Sequence, residues 1–311
     1  MNTANVGGGQ QEYRPLHWAV DFIIQGIFLL EGLLYHLQFH LRKGQFPVSA
    51  PCTGPLFRHV FDLASKRMAT VYTHRARVLA LEQIYFPDHQ RDNETWWGRI
   101  VGDWFINVRN SVAVRNRALL VQEAVVSEIL RLRDASGRSE FVAVSIACGS
   151  AVAMIRSAQE LVGLGIVLRL VLYDLDPIAL DYARAKAIGL GFPAEHLVTI
   201  NANAQDLERE LASRGITPDV CEVVGLLDYF SDSALVRLLQ RVRAVLPVGH
   251  SLVAANVRPN VEMAFVTFVL DWVMKYRTST QFSRLVRQAG FVYFWTAVER
   301  AGVYTIIVAR R

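Results

Sequence analysis

A doubly wound α/β sheet is the fold class that this sequence predicts, and three observations predict it. The stretch from Val142 to Ala151, V-A-V-S-I-A-C-G-S-A, runs an apolar strand straight into a tight turn of small residues. A second apolar strand, Val167 to Tyr173, follows about one helix later and ends on Asp174. From Phe141 onward strands and helices alternate until two closely spaced strands close the chain. A small-residue turn lets backbone approach a ligand, and an acid ending the next strand accepts hydrogen bonds from ribose hydroxyls. The chain therefore reads as a nucleoside-binding enzyme.

The elements follow in order. M-N-T-A-N-V-G-G-G-Q-Q is polar and reads as a flexible tail over residues 1–11, without the pattern of a cleavable signal. Residues 12–138 read as helical, with helices at Leu16–Leu41, Leu56–Leu81, Glu94–Val108 and Ser111–Arg133. Lys43-Gly44 with F-P-V-S-A-P-C-T-G-P, then Pro87-Asp88, then Ala135-Ser136-Gly137 supply the breaks. Asp21, Gln25, Glu31 and His36 interrupt the run from His17 to Leu41, short of the roughly 18 uncharged apolar residues that a spanning helix needs. That run reads as a buried or dimer-forming helix, with a membrane-surface helix as the alternative, so a homodimer is expected.

Residues 139–311 carry strands expected at 141–147, 167–173, 196–200, 219–225 and 250–256. Continuous apolar runs such as L-R-L-V-L-Y and C-E-V-V-G-L-L suit parallel strands covered on both faces. Phe291–Val298 and Val303–Ala309 are separated by E-R-A-G and predict a terminal antiparallel hairpin.

Composition narrows the function. The chain has 311 residues, 52% hydrophobic and 20% charged, which is globular and not disordered. Its net charge of +5 comes from scattered Lys and Arg, which argues against a nucleic-acid partner. Cys52, Cys148 and Cys221 form no C-x-x-C pair, which suits a reducing, cytoplasmic setting. His36 and His40 stand four apart with no third ligand near, so no metal site is expected.

Four positions along this topology resemble class I S-adenosylmethionine (SAM)-dependent methyltransferases, whose Rossmann-like seven-stranded sheet ends in an antiparallel hairpin. V-S-I-A-C-G-S-A aligns with the glycine-rich loop, with Ala147, Cys148 and Gly149 beside the methionine part of SAM. Ser145 stands where an acid is usual, and Ala147 and Ala151 replace glycines, which preserves close approach if their φ stays negative. Asp174 takes the ribose-binding place with Leu175 beside the adenine. Asp176 is its rival, but Asp176-Pro177 suits a helix N-cap better. N-A-N-A-Q-D-L matches the adenine stretch, giving Asn203, Ala204 and Gln205. In V-V-G-L-L-D-Y-F-S-D, Gly225 and Leu226 would line the sulfonium, and Asp228 and Tyr229 would point toward the acceptor, unless Asp228 only caps the next helix. A-A-N-V-R-P-N followed by D-W-V-M-K-Y-R-T further resembles a bacterial subgroup linked to methyl esters of 3-hydroxy fatty acids.

The resemblance implies SAM as cofactor, a small-molecule acceptor and an in-line displacement, for which alignment of the reactants supplies much of the rate. A carboxylate acceptor needs no base. A hydroxyl or amine needs one, with Asp228, Tyr229 and Tyr276 as candidates. Arg258 and Arg277, expected after the fifth strand and its helix, are candidates for holding an anionic acceptor. The helical region is expected to act as a lid. There W-W-G-R-I-V-G-D-W-F-I-N-V-R-N-S-V-A-V-R-N-R sets Trp96, Trp97, Trp104 and Phe105 among Asn107, Arg109, Asn110, Arg115 and Arg117, aromatics and cations that can enclose a sulfonium or a polar substrate. Asn107 is the substrate-contact candidate, with Asp103 as its i, i+4 partner. Ordinary core packing is the competing account of the tryptophans. Two other functions stay open: attack on the aminopropyl carbon of SAM with release of methylthioadenosine, and a non-catalytic SAM-fold interaction protein.

Overall fold

The computed structural model describes residues 62–75, 77–88, 91–263 and 265–311, together with Gly26 and His59. The tail, the helix expected at Leu16–Leu41, the His36/His40 pair and Cys52 lie outside the described residues. Of the described residues, Arg115–Arg258 with Lys275–Arg311 form one compact unit, and those up to Val114 with Pro259–Met274 form a second. The division falls inside a helix at Val114/Arg115, where the sequence suggested a boundary near 138.

The helical unit contains α1 (Lys66–Thr73), α2 (Val78–Tyr85), α3 (Trp96–Ile106) and the start of α4 (Arg109–Ser136). The single helix expected over Leu56–Leu81 is thus divided. Ser65 takes an extended conformation and accepts the Met68 N–H, as an N-cap does, and a second interruption at His74 to Arg77 separates α1 from α2. Arg67 explains why the chain starts a new helix here. Its guanidinium is fully buried, bonds Glu94 and Asp103, and reaches the carbonyls of Pro87 and Arg99. A Cβ at Gly102 would overlap that guanidinium. Trp104 is buried edge-on against Phe265, whereas Trp96 is 74% exposed and Trp97 is exposed beside it. Core packing therefore accounts for Trp104 and not for the other two.

The second unit is the sheet. Its strands are β1 (Glu140–Ile146), β2 (Val167–Asp174), β3 (Leu197–Asn201), β4 (Val220–Val223), β5 (Ser251–Val257), β6 (Tyr293–Val298) and β7 (Tyr304–Arg310). They lie in the order β3-β2-β1-β4-β5-β7-β6. The first five pair in parallel, and β7 enters antiparallel between β5 and β6. Every residue of β4 and β5 is buried, as two-sided coverage demands. The helices between strands are α5 (Val152–Gly163), α6 (Pro177–Gly189), α7 (Leu207–Ser213), α8 (Asp232–Val245) and α9 (Ser279–Gln288).

Side-chain alternation sorts each strand between two faces. Val144, Ile146, Cys221, Val223 and Ile307 meet Leu211, Leu235, Leu239, Phe282 and Val286 in one apolar cluster. The alternate residues, among them Ser145, Glu222, Ser251 and Tyr304, face the other way. There α4 brings polar groups to the sheet: Glu128 accepts from Ser251 Oγ at 2.6 Å and from Arg310 at 2.9 Å. Burial alone would raise the Glu128 carboxyl, but the hydrogen bonds from Arg310, Ser251 and Arg131 outweigh it and hold the group below its usual range.

The chain after β5 departs from the expected helix. One π-helical turn at Phe265–Val269 is followed by irregular backbone to Thr278, with Asp271 at φ 52° and paired to Arg75 at 2.8 Å. Among the described residues no helix is long and apolar enough to cross a membrane.

Candidate active site

The carboxyl ends of β1, β2 and β4 converge on the loop from Ala147 to Ala151. Gly149 has φ 52°, and its N–H donates to Asp174 Oδ2 at 2.9 Å. Asp174 Oδ1 accepts the N–H of Asp176 at the same distance, and Cys148 N–H donates to the Tyr173 carbonyl. One carboxylate thus ties the small-residue loop to the turn after β2. Asp176 caps α6 by accepting from Ile178 N–H, with Pro177 at the first helical position, the cap that the sequence suggested.

The alanines do not behave as expected. Ala147 has φ 55° and Ala151 φ 49°, so both occupy the left-handed region instead of keeping φ negative. The loop follows the course a glycine would take, and each methyl group adds strain of roughly 1–2 kcal/mol. Replacing both by glycine recovers that strain less the entropy glycine brings to the unfolded chain, about 0.4–1 kcal/mol each. The double variant A147G/A151G is expected to melt about 2–4 °C higher in a thermal scan; an unchanged or lower midpoint would refute the strain.

Asn203 accepts Gln205 N–H through its side chain, and its carbonyl accepts from the Tyr173 hydroxyl at 2.6 Å. Burial, then the charges of Glu210 and Asp206, push that phenol up to about 12, so it stays a donor. Asn203 and Gln205 are exposed, Ala204 is half-buried, and Leu175 is exposed. Cys148 is buried; burial first, then Asp174 and Glu222, push its thiol up, so it is no nucleophile.

Beyond β4, Gly225 turns with φ 88°, and a Cβ there would lie 4.0 Å from the Arg117 guanidinium. Arg117 comes from α4, is buried, and stacks over the Tyr304 ring at 4.4 Å. Asp228 is buried and accepts Val257 N–H at 2.8 Å. It does not cap α8; Ser231 does, accepting from Ala234 N–H. Burial pushes the Asp228 carboxyl up to about 6 against the pull of Arg117, the Val257 N–H and Arg277. Burial raises the Tyr304 phenol against the pull of Arg117, and the charges of Asp228, Tyr229 and Tyr276 raise it further. Tyr229 is exposed and Leu226 half-buried.

The two arginine candidates both hydrogen-bond within the protein. Arg277 is buried and bonds Asp232, Asn256 and the carbonyls of Leu227 and Phe230, so its cation braces the protein itself. Arg258 is half-buried with Nη1 on the Gly302 carbonyl. In the helical unit Asn107 ends α3 and donates to the Asp103 carbonyl at 2.7 Å. The Asp103 carboxylate is not its partner, being held by Arg67 and Arg91. The sequence singles out Arg117 only as one of several cations of the helical region, and it gives Glu222 no role. The signal for Glu222 was a lone acid inside an apolar strand. Among the described residues no cluster of three metal-ligating side chains occurs.

A seven-stranded mixed sheet with this order and an acid-tied loop at its carboxyl edge defines the class I methyltransferase fold. A family model described as "Putative methyltransferase" matches residues 79–311, and the chain belongs to that family. No curated protein sequence matches it. Solved structures share the fold at low identity. A "possible exported protein" from Bordetella parapertussis is 17% identical, with TM-score 0.58 over 82% of this chain and 96% of the other. Magnesium protoporphyrin IX methyltransferase from Synechocystis, solved with bound SAH, is 14% identical, with TM-score 0.50 over 76% and 99%. An O-methyltransferase family protein from Burkholderia thailandensis is 16% identical, with TM-score 0.50 over 78% and 72%.

Proposed function

We propose that the chain is a SAM-dependent methyltransferase that methylates a hydroxyl oxygen of a small molecule, with Asp228 as the base. SAM supplies an activated methyl group when bound. The residues present suit such a donor: Asp174 offers a carboxylate at the end of β2, the loop at Gly149 exposes backbone at positive φ, and carboxylates at 222 and 228 suit a cationic ligand. Ala147, Cys148, Leu175, Asn203, Ala204, Gln205, Gly225 and Leu226 complete the proposed cofactor contacts. Arg258 remains a proposed acceptor contact.

The observation that carries the reading is the Asp228 carboxylate, buried just beyond β4, held by the Val257 N–H at 2.8 Å and raised by burial to about 6. A base with a pKa near the operating pH combines a populated basic form with useful proton affinity. Alignment of acceptor oxygen, methyl carbon and sulfur falls to the surrounding side chains.

The protein incubated with SAM and a small-molecule extract is expected to release S-adenosylhomocysteine, identified by mass spectrometry. Asp228→Asn should lower kcat by roughly 10²–10⁴-fold at unchanged SAM affinity. Methylthioadenosine as the product would overturn methyl transfer. Full activity in the Asn variant would overturn the base and point to a carboxylate acceptor.

A further inference from the structure

The function just described gives Glu222 no specific contact, and its position is costly without one. It sits in the middle of central strand β4, buried, where its neighbours Cys221 and Val223 are apolar. Removing a carboxylate from water is expensive unless charge and hydrogen bonds compensate. Parallel pairing sets Glu222 directly opposite Ser145 of β1, two residues before the loop begins at Ala147. The Ser145 hydroxyl donates to Glu222 Oε2 at 2.5 Å. The charge of Glu222 also helps to raise the Cys148 thiol, after burial and Asp174.

We propose that Glu222, acting with Ser145 as a positioning pair beneath the loop, supplies the negative charge that binds the cationic amino-acid end of the methyl donor. This rests on the SAM reading above. A donor that carries an ammonium and a sulfonium at one end needs a counter-charge near the Ala147–Ala151 backbone. β1 itself offers only a hydroxyl there, at Ser145, and β4 offers the acid one strand over. Ser145 from β1 bonds Glu222, Cys148 from the loop and Arg117 from α4 share its field, and β5 sets Val253 opposite it; the adjoining Cys221 points to the other face. Asp228 shares the field of Arg117.

The pair carries a signature that packing alone does not produce. Burial raises the Glu222 carboxyl to about 7, against the Ser145 hydrogen bond and Arg117. Near neutrality the free protein thus holds this proton part of the time. A cation bound above the carboxylate favours the ionised form, so binding releases a proton. Affinity then rises with pH between about 6 and 8.

Calorimetric titration of SAM into the protein, in buffers of different ionisation heat, tests this. The wild type is expected to release a fraction of a proton at pH 7 and to bind about tenfold tighter at pH 8 than at pH 6. Glu222→Gln, which keeps the shape, should bind about tenfold more weakly at pH 8 with most of the pH dependence gone. The exchanged pair S145D/E222S should regain most of the affinity by returning the charge to β1. Glu222→Gln binding within threefold of wild type, with proton release unchanged, would overturn the assignment. If that variant does not fold, pH-independent wild-type binding without proton exchange would overturn it equally. No SAM binding by the wild type would overturn the donor reading itself and this inference with it.

Discussion

Asp174→Ala is expected to weaken SAM binding by 100-fold or more while leaving the sheet folded. The carboxylate accepts two backbone N–H groups, Gly149 and Asp176, from the two turns that shape the proposed cofactor edge. A hydrogen bond to a charged group contributes about 1.5–3 kcal/mol. Losing both loosens the loop, and losing the proposed ribose contacts adds directly to the binding deficit. Two such losses exceed the 2.7 kcal/mol, roughly, that corresponds to 100-fold. Stability suffers less, because Asp174 is only half-buried and water can reach the freed N–H groups. Asp174→Asn separates the effects: it keeps an oxygen acceptor but no charge, and should fall between wild type and alanine. Calorimetry gives the affinities and circular dichroism the fold. An alanine variant that binds within threefold of wild type would remove Asp174 from the cofactor site.

The sheet was legible because its signals are local. Seven apolar runs, each bounded by small or polar residues, place all seven strands to within about three residues of their observed ends. The Asp176-Pro177 cap was legible for the same reason. What escaped depends on groups far apart in sequence. Nothing near Arg67 announces that Glu94 and Asp103 will bury it, so one long helix was expected where Ser65 starts a new one. The positive φ of Ala147 and Ala151 is imposed by the strand-to-helix turn against alanine's own preference. Glu222 was present in C-E-V-V as a letter, but its meaning needs the register that sets it opposite Ser145. Arg117 looked like one of several cations on a long helix. Only the fold brings it to Gly225, Tyr304 and the two buried acids. Strands and caps were therefore readable, and the electrostatics beneath the loop were not.

Arg277→Lys is expected to be strongly destabilising and to leave acceptor recognition unchanged in whatever folds. The arginine was a natural candidate for holding an anionic acceptor, since it falls at the carboxyl edge of the sheet. Its guanidinium instead bonds Asn256 Oδ1 at 2.7 Å, the Leu227 and Phe230 carbonyls at 3.1 and 2.5 Å, and Asp232 at 2.9 Å. The Asp232 arm is mostly solvent-exposed and contributes little. The buried arms decide the outcome. Lysine lacks the planar fork and cannot meet three such acceptors together, so two are left unsatisfied at about 1–3 kcal/mol each. A loss of about 3–5 kcal/mol lowers the melting midpoint by roughly 6–15 °C. Asn256 also donates to the Val257 and Lys275 carbonyls, and the Val257 N–H binds Asp228. The damage therefore reaches the proposed base, and kcat should fall with KM for the acceptor nearly constant. A midpoint within about 2 °C of wild type, together with a tenfold rise in acceptor KM, would return Arg277 to the acceptor and leave the brace without support.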